Sequence, residues 1–147
     1  MATTDHLRSS ELASQLRFAV MRLSRRLRQH APEDITPSQL SALSVIVREQ
    51  RMTLSQLAVA ERVQPPTITR VCDSLEFKGL ATRVPSEEDR RVAYVEPTAS
   101  GRTLVETIRR RRDEYLARRL RTFSAEERAL LQRAAGLLER LIEDPGS

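Results

Sequence analysis

Apolar residues recur along the chain at steps of three or four, the spacing that places them on one face of an α-helix. The first such stretch predicts a helix from about Ser10 to His30. A long helix is predicted from Thr98 to about Arg121. A last helix, started by a third capping box at Ser124, ends near Glu143 and carries leucines at a coiled-coil-like step. Because one thin chain cannot cover all these faces, we expect a second copy to bury them.

Short helices separated by capping signals fill the middle of the chain. Thr36 and Thr53 each stand three residues before a glutamine, the capping-box spacing that starts a helix. The helix after the second cap is short and ends near Glu61. A third helix opens at Pro65 and ends near Lys78, just before a glycine. The apolar stripe of this helix, which we expect to be buried, is Ile68, Val71, Cys72 and Leu75.

Two short β-favouring runs follow, from Leu80 to Val84 and from Val92 to Glu96, and the charged loop between them predicts a β-hairpin. The order of helix, short helix, helix and hairpin is the outline of a winged helix-turn-helix. The predicted fold is mainly α with a small β-hairpin wing, in a single domain of residues 1–147. Within it, residues 36–98 form the winged helix-turn-helix lobe, and residues 1–35 and 99–147 form N- and C-terminal dimerisation helices.

Net charge adds little to this interpretation. The chain carries 25 Lys and Arg against 20 Asp and Glu, which gives +5. Residues 36–100, however, hold eight bases and eight acids, so the predicted DNA-reading segment is neutral. A nucleic-acid function therefore depends on particular residues and not on bulk charge.

The outer face of the third helix is small and polar, as expected of a helix that enters the major groove. We predict that Thr67, Thr69 and Arg70 contact DNA there, with Arg70 suited to pairing with a guanine. Helix starts at Thr36 and Thr53 offer amide donors to phosphates. The alternative for the third helix is an ordinary solvated helix face.

The hairpin loop holds Asp89, Arg90 and Arg91, and an arginine on an extended wing can enter the narrow minor groove. Asp89 can orient such an arginine through a charge-assisted hydrogen bond. The alternative is a charged hairpin tip without a role. The complete set of predicted DNA-contacting residues is Thr36, Thr53, Gln64, Pro66, Thr67, Thr69, Arg70, Arg83, Asp89, Arg90 and Arg91.

Residues 63–102 resemble the core of the MarR (multiple antibiotic resistance regulator) family. The family pattern has a recognition helix with T-V-T-R, a wing with D-x-R, and L-T-x-x-G-R at the start of the long helix. The matching segments here are Thr67-Ile68-Thr69-Arg70, Asp89-Arg90-Arg91 and Thr98-Ala99-Ser100-Gly101-Arg102. Two positions depart from the pattern: Pro66 stands in place of a small hydroxyl residue, and Pro97 in place of leucine.

The resemblance implies a homodimeric repressor that binds double-stranded DNA and is released by a small phenolic or lipophilic effector. Release of this kind requires an effector that binds two shapes of the dimer unequally. One alternative is a helical interaction or ligand-sensing protein that does not act through DNA, which the neutral segment and Pro66 leave open. A lesser alternative is a redox-sensing regulator that acts through Cys72, the only cysteine.

Other classes of function find little support in the sequence. No nucleophile stands with a base, no glycine-rich loop could cradle phosphate, and no metal-ligand spacing occurs, so we expect neither an enzyme nor a cofactor or metal. No stretch approaches the roughly 20 apolar residues of a membrane span, so we expect a cytoplasmic protein without a membrane partner. The arginines around 22–28 and 109–112 are typical of solvated helix faces, with an acidic-ligand pocket or DNA-backbone contact as alternatives.

Overall fold

The computed structural model describes the backbone of residues 2–143 and the side chains from residue 8 to residue 143. Within that range it has the mainly helical architecture with a small antiparallel sheet that the sequence predicts. The elements are α1 Ala2–Arg28, α2 Pro37–Glu49, β1 Met52–Thr53, α3 Leu54–Glu61, α4 Pro65–Phe77, β2 Ala81–Pro85, β3 Ala93–Pro97, α5 Ala99–Leu120 and α6 Ala125–Ile142.

Two elements differ from the sequence prediction. Helix α1 begins at Ala2 instead of Ser10, because no proline or glycine between them interrupts the helix. Strand β1, which was not predicted, has only two residues, Met52 and Thr53, too few to show an alternating pattern. None of the helices within residues 2–143 is both long and apolar enough to cross a bilayer.

Three helices begin with the capping boxes that the sequence predicts, so their starts are fixed by local chemistry. In each, the cap hydroxyl accepts a hydrogen bond from an amide three residues on, and the side chain there accepts one from the cap amide. The pairs are Thr36 with Gln39 (3.2 and 3.2 Å), Thr53 with Gln56 (3.1 and 2.9 Å) and Ser124 with Glu127 (3.1 and 2.7 Å).

The three strands form one antiparallel sheet in the order β1-β3-β2. Val95 of β3 is paired with Met52 on one side and with Arg83 on the other. Strand β2 therefore lies at an edge of the sheet, and one row of its backbone groups is left without a strand partner. Side chains of neighbouring elements must therefore supply hydrogen-bond partners for these backbone groups.

The core of the lobe lies between α2, α3, α4 and the sheet. Its largest fully buried side chains include Leu43 and Ile46 of α2, Leu57 of α3 and Val95 of β3. Of the predicted α4 stripe, Ile68, Cys72 and Leu75 are each at most 2% exposed, whereas Val71 is half-buried at the edge of the core. This burial fixes which face of α4 points outward.

Helix α5 is joined to the end of the hairpin by Thr98 and Gly101. The Thr98 hydroxyl donates to the Gly79 carbonyl oxygen (2.6 Å) and accepts from the Gly101 amide (3.0 Å), while the Thr98 amide donates to the Leu80 carbonyl oxygen (3.1 Å). A Cβ on Gly101 would lie 2.0 Å from that Leu80 oxygen. Pro97, just before the joint, is buried as the last residue of β3.

The chain divides into two compact units, residues 1–110 and residues 111–147. The predicted lobe of residues 36–98 lies within the first unit. In the second unit, α6 buries none of its side chains. The assignment of residues 1–35 and 99–147 to dimerisation stays a prediction, because the structure holds a single chain.

Candidate nucleic-acid interface

Helices α3 and α4 are connected by a tight turn of Arg62, Val63 and Gln64. Arg62 adopts the left-handed conformation, with φ 54°, and the Val63 amide donates to the Ala58 carbonyl oxygen (3.0 Å). A left-handed residue at this point ends α3 and redirects the chain at once into α4. The two helices thus form the helix-turn-helix that the spacing of the caps predicts.

The N-terminus of α4 exposes side chains but no spare amide in its first three positions. Pro65 and Pro66 have no N–H, and the Thr67 amide donates to the Gln64 carbonyl oxygen (3.0 Å). Gln64 is the N-cap, yet its side chain makes no capping hydrogen bond, so its carboxamide remains available at the surface. Any contact at this end of α4 is therefore made by side chains and not by backbone donors.

The predicted contact residues of α4 all lie on its exposed face, together with Pro66. The Thr69 hydroxyl donates to the Pro65 carbonyl oxygen (3.0 Å), which leaves its oxygen and methyl group outward. Among the side chains of residues 8–143, Arg70 has no hydrogen-bond or ion-pair partner. Arg70 is thus the long, uncommitted donor that a major-groove helix needs.

The wing is the loop between β2 and β3, and its backbone is ordered by its own side chains. The Ser86 hydroxyl accepts hydrogen bonds from the Glu88 and Asp89 amides (both 3.3 Å). Asp89 Oδ1 accepts from the Arg91 amide (3.0 Å) and from Arg91 Nε (3.3 Å). The Arg91 side chain is held at its base while it stays 91% exposed, and Arg90 is exposed beside it.

The two threonine caps, Thr36 and Thr53, are only partly free for an outside ligand. Their hydroxyl oxygens accept from Gln39 and Gln56, and their own amides are taken by the same two side chains. The hydroxyl hydrogens remain as donors. In the first turn of α3, the Ser55 amide precedes the Gln56 amide that bonds to the cap, and it is a second donor at this helix end. Phosphate contact at these helix ends stays a prediction.

Arg83, which the sequence predicts to contact DNA, forms ion pairs within the lobe. Its Nη1 lies 2.7 Å from Asp73 Oδ1 and 3.2 Å from Glu76 Oε2, and its side chain is 28% exposed. The sequence reasoning missed both acids as partners. The available signal was the presence of Asp73 and Glu76, three residues apart, on a helix face otherwise suited to DNA.

Cys72 lies beneath this cluster and is 1% exposed. Burial raises the pKa of its thiol to about 11, with the positive charge of Arg83 acting in the opposite direction and the charges of Asp73 and Glu76 adding to the rise. The reactive species of cysteine is the thiolate. A buried thiol of raised pKa is poorly suited to sensing oxidants, which counts against the redox alternative.

We expect iodoacetamide to alkylate Cys72 at least about 100-fold more slowly in the folded protein than in urea at about pH 8, because burial keeps the reagent from the thiol and the raised pKa lowers the thiolate fraction about 100-fold. The folded protein's rate should then climb about tenfold per pH unit up to the raised pKa. Mass spectrometry of timed samples measures both rates. Equal rates in the two conditions would instead show an accessible, reactive thiol.

Together, a three-helix core, an exposed α4 face with a free arginine, and an ordered basic wing define a winged helix-turn-helix protein. The model of the MarR family matches residues 35–93. An HTH-type transcriptional regulator of Mycobacterium tuberculosis is 45% identical over 92% of this chain and 95% of its own length.

Solved structures agree in fold over nearly the whole length. A MarR family protein from Bacillus stearothermophilus has a TM-score of 0.79 at 28% identity, covering 90% of this chain and 94% of that one. FabT of Streptococcus pneumoniae, solved in complex with DNA, has a TM-score of 0.72 at 27% identity, covering 95% of this chain and 98% of that one. This chain belongs to the MarR family, as its sequence resemblance indicated, and its relatives are HTH-type transcriptional regulators.

Proposed function

We propose that the protein is a homodimeric repressor that binds a pseudo-palindromic operator in duplex DNA. In each protomer α4 enters the major groove, where Arg70 pairs with a guanine and Thr67 and Thr69 contact neighbouring base edges or phosphates. Arg90 and Arg91 of the wing reach the adjacent minor groove. The protein acts by binding and not by catalysis, and we place it in the cytoplasm.

The observation that supports this proposal most directly is that two exposed arginines are available for binding in a lobe whose net charge is zero. Arg70 is exposed and uncommitted, and Arg91 is aimed outward by Asp89 while its guanidinium stays accessible. An arginine whose position is fixed before binding loses less side-chain freedom when it meets a base or phosphate. On a hairpin tip that contacts only solvent, holding the arginine side chain in one position would have no function.

Exposed apolar side chains support the homodimer. On α1, Phe18 and Met21 are 60% and 61% exposed, and on α6, Leu137 and Leu141 are 57% and 73% exposed. Large apolar surfaces of this kind mark protein interfaces, and a symmetric dimer buries both copies at once. Two α4 helices related by two-fold symmetry then read half-sites about one helical turn apart.

A small phenolic or lipophilic effector would regulate such a dimer by favouring the shape that cannot bind DNA. For this, the effector must bind the two shapes with different affinity, since equal affinity shifts no equilibrium. The support for an effector is membership of the family alone.

We expect the protein to bind DNA from upstream of its own gene with a dissociation constant of about 10⁻⁸ M or below at physiological salt. Electrophoretic mobility shift with an excess of scrambled duplex as competitor measures it. Sedimentation of the free protein should give the mass of a dimer. A failure to retard any upstream fragment at micromolar protein, by a sample that sediments as a folded dimer, would contradict DNA binding.

A further inference from the structure

The face of α4 that would meet DNA carries two acidic side chains. Asp73 and Glu76 are 56% and 41% exposed. Carboxylates so placed would repel phosphates, so their presence on a DNA-reading helix requires a balancing charge. Arg83, on the edge strand β2, supplies that charge.

Arg83 contacts α4 at three acceptors. Its Nη1 lies 2.7 Å from Asp73 Oδ1 and 3.2 Å from Glu76 Oε2, and its Nη2 donates to the Thr69 carbonyl oxygen at 3.4 Å. The guanidinium thus contacts α4 along about two turns, from Thr69 to Glu76. A planar fork with several donors suits this arrangement, whereas a lysine would present a single point charge.

Glu76 also holds the backbone of the strand. Its Oε1 accepts from the Arg83 amide at 3.4 Å, while its Oε2 accepts from the same residue's guanidinium. Because β2 is an edge strand, this carboxylate takes the place of a missing strand partner. Both the side chain and the main chain of Arg83 are therefore tied to α4.

From this geometry we propose that Arg83 is a positioning residue and not a DNA contact. It joins the recognition helix to the wing strand and neutralises the acids of that helix, so that α4 and the wing meet the two grooves at a fixed separation. This inference rests on the proposed function for its effect on DNA, whereas the link between α4 and β2 can be tested without DNA.

The first test uses Cys72, which lies under the link, as a reporter. Replacing Arg83 by alanine should raise the alkylation rate of Cys72 by iodoacetamide in the folded protein about tenfold, because β2 separates from α4 more often. If Arg83 contributed only its charge, the opposite would occur, since that charge favours the thiolate and its loss would slow the reaction. The sign of the change decides between the two roles.

The second test compares operator DNA with a scrambled duplex. We expect Arg83→Ala to lower the ratio of specific to non-specific affinity about tenfold, with the salt dependence of binding unchanged. The double variant Asp73→Ala, Glu76→Ala keeps Arg83 and should lower the same ratio, although its lost acids raise binding to any duplex. It also keeps the test decisive if Arg83→Ala does not fold.

Arg48→Ala is the matched control, because Arg48 forms an exposed ion pair with Glu49 on its own helix and this pair does not link α4 to β2. It should leave the affinity ratio and the Cys72 rate unchanged. The proposal is overturned if Arg83→Ala reduces the salt slope by about one per protomer, as loss of a phosphate contact would, while the alkylation rate stays the same or falls. If the wild-type protein binds no operator, the proposed function fails, and the alkylation rate still reports on the link.

Discussion

An Arg70→Ala variant should bind the operator about 100-fold more weakly than the wild-type protein, or weaker still. Each bidentate arginine–guanine pair contributes roughly 1 to 3 kcal/mol of discrimination, and a dimer loses one pair in each half-site. Arg70 makes no hydrogen bond or ion pair among the described side chains, so its removal should leave the fold intact. Titration of a labelled operator with the variant measures the loss.

The specificity of the loss is as informative as its size. Operators altered at each base pair in turn should reveal one position per half-site where the variant no longer discriminates. Arg48→Ala again serves as the control, because it removes an exposed arginine from the same lobe. Wild-type affinity in the Arg70→Ala variant would show that α4 does not read guanine with this side chain.

A Gly101→Ala variant should lose about 3 kcal/mol of its free energy of unfolding. The new Cβ would stand 2.0 Å from the Leu80 carbonyl oxygen and 3.2 Å from a methyl carbon of Leu43, so either the start of α5 or the turn between α4 and β2 that holds Leu80 must move. Movement would also break the hydrogen bonds that Thr98 makes across this joint. Urea unfolding at one fixed protein concentration measures the change.

Ser100→Ala is the control for this prediction, because Ser100 is exposed and neighbours Gly101 in the same helix turn. Its stability should stay within about 0.5 kcal/mol of wild type. If Gly101→Ala is as stable as Ser100→Ala, the close approach of α5 to Leu80 is not a feature of the folded protein in solution.

What could be predicted from the sequence was local. The capping boxes at Thr36 and Thr53 need only residues three apart, and the stripe of Ile68, Cys72 and Leu75 needs only helical spacing. The Asp89 and Arg91 hydrogen bond likewise joins residues two apart, within one turn of the wing. In each case the interacting partners are close together in the chain.

What could not be predicted depends on how elements pack. The ion pairs of Arg83 with Asp73 and Glu76 join residues ten and seven positions apart on two different elements. The pairing of Met52 with Val95 spans a still longer stretch of chain. Such contacts follow from the docking of α4 and β1 on the hairpin, which no local pattern encodes.

The two prolines that open α4 have a consequence for how the protein meets its operator. A ring at Pro65 and another at Pro66 fix φ at both positions, so the first turn of the helix has little freedom to fray or to rewind. If α4 enters the major groove as proposed, the surface it presents is therefore fixed before binding, and the long side chains of Gln64 and Arg70 are the ones that would adapt to unequal half-sites. The backbone of the recognition helix is therefore preformed, while two long side chains keep their freedom to adjust. Binding to DNA should then proceed with little ordering of the recognition helix.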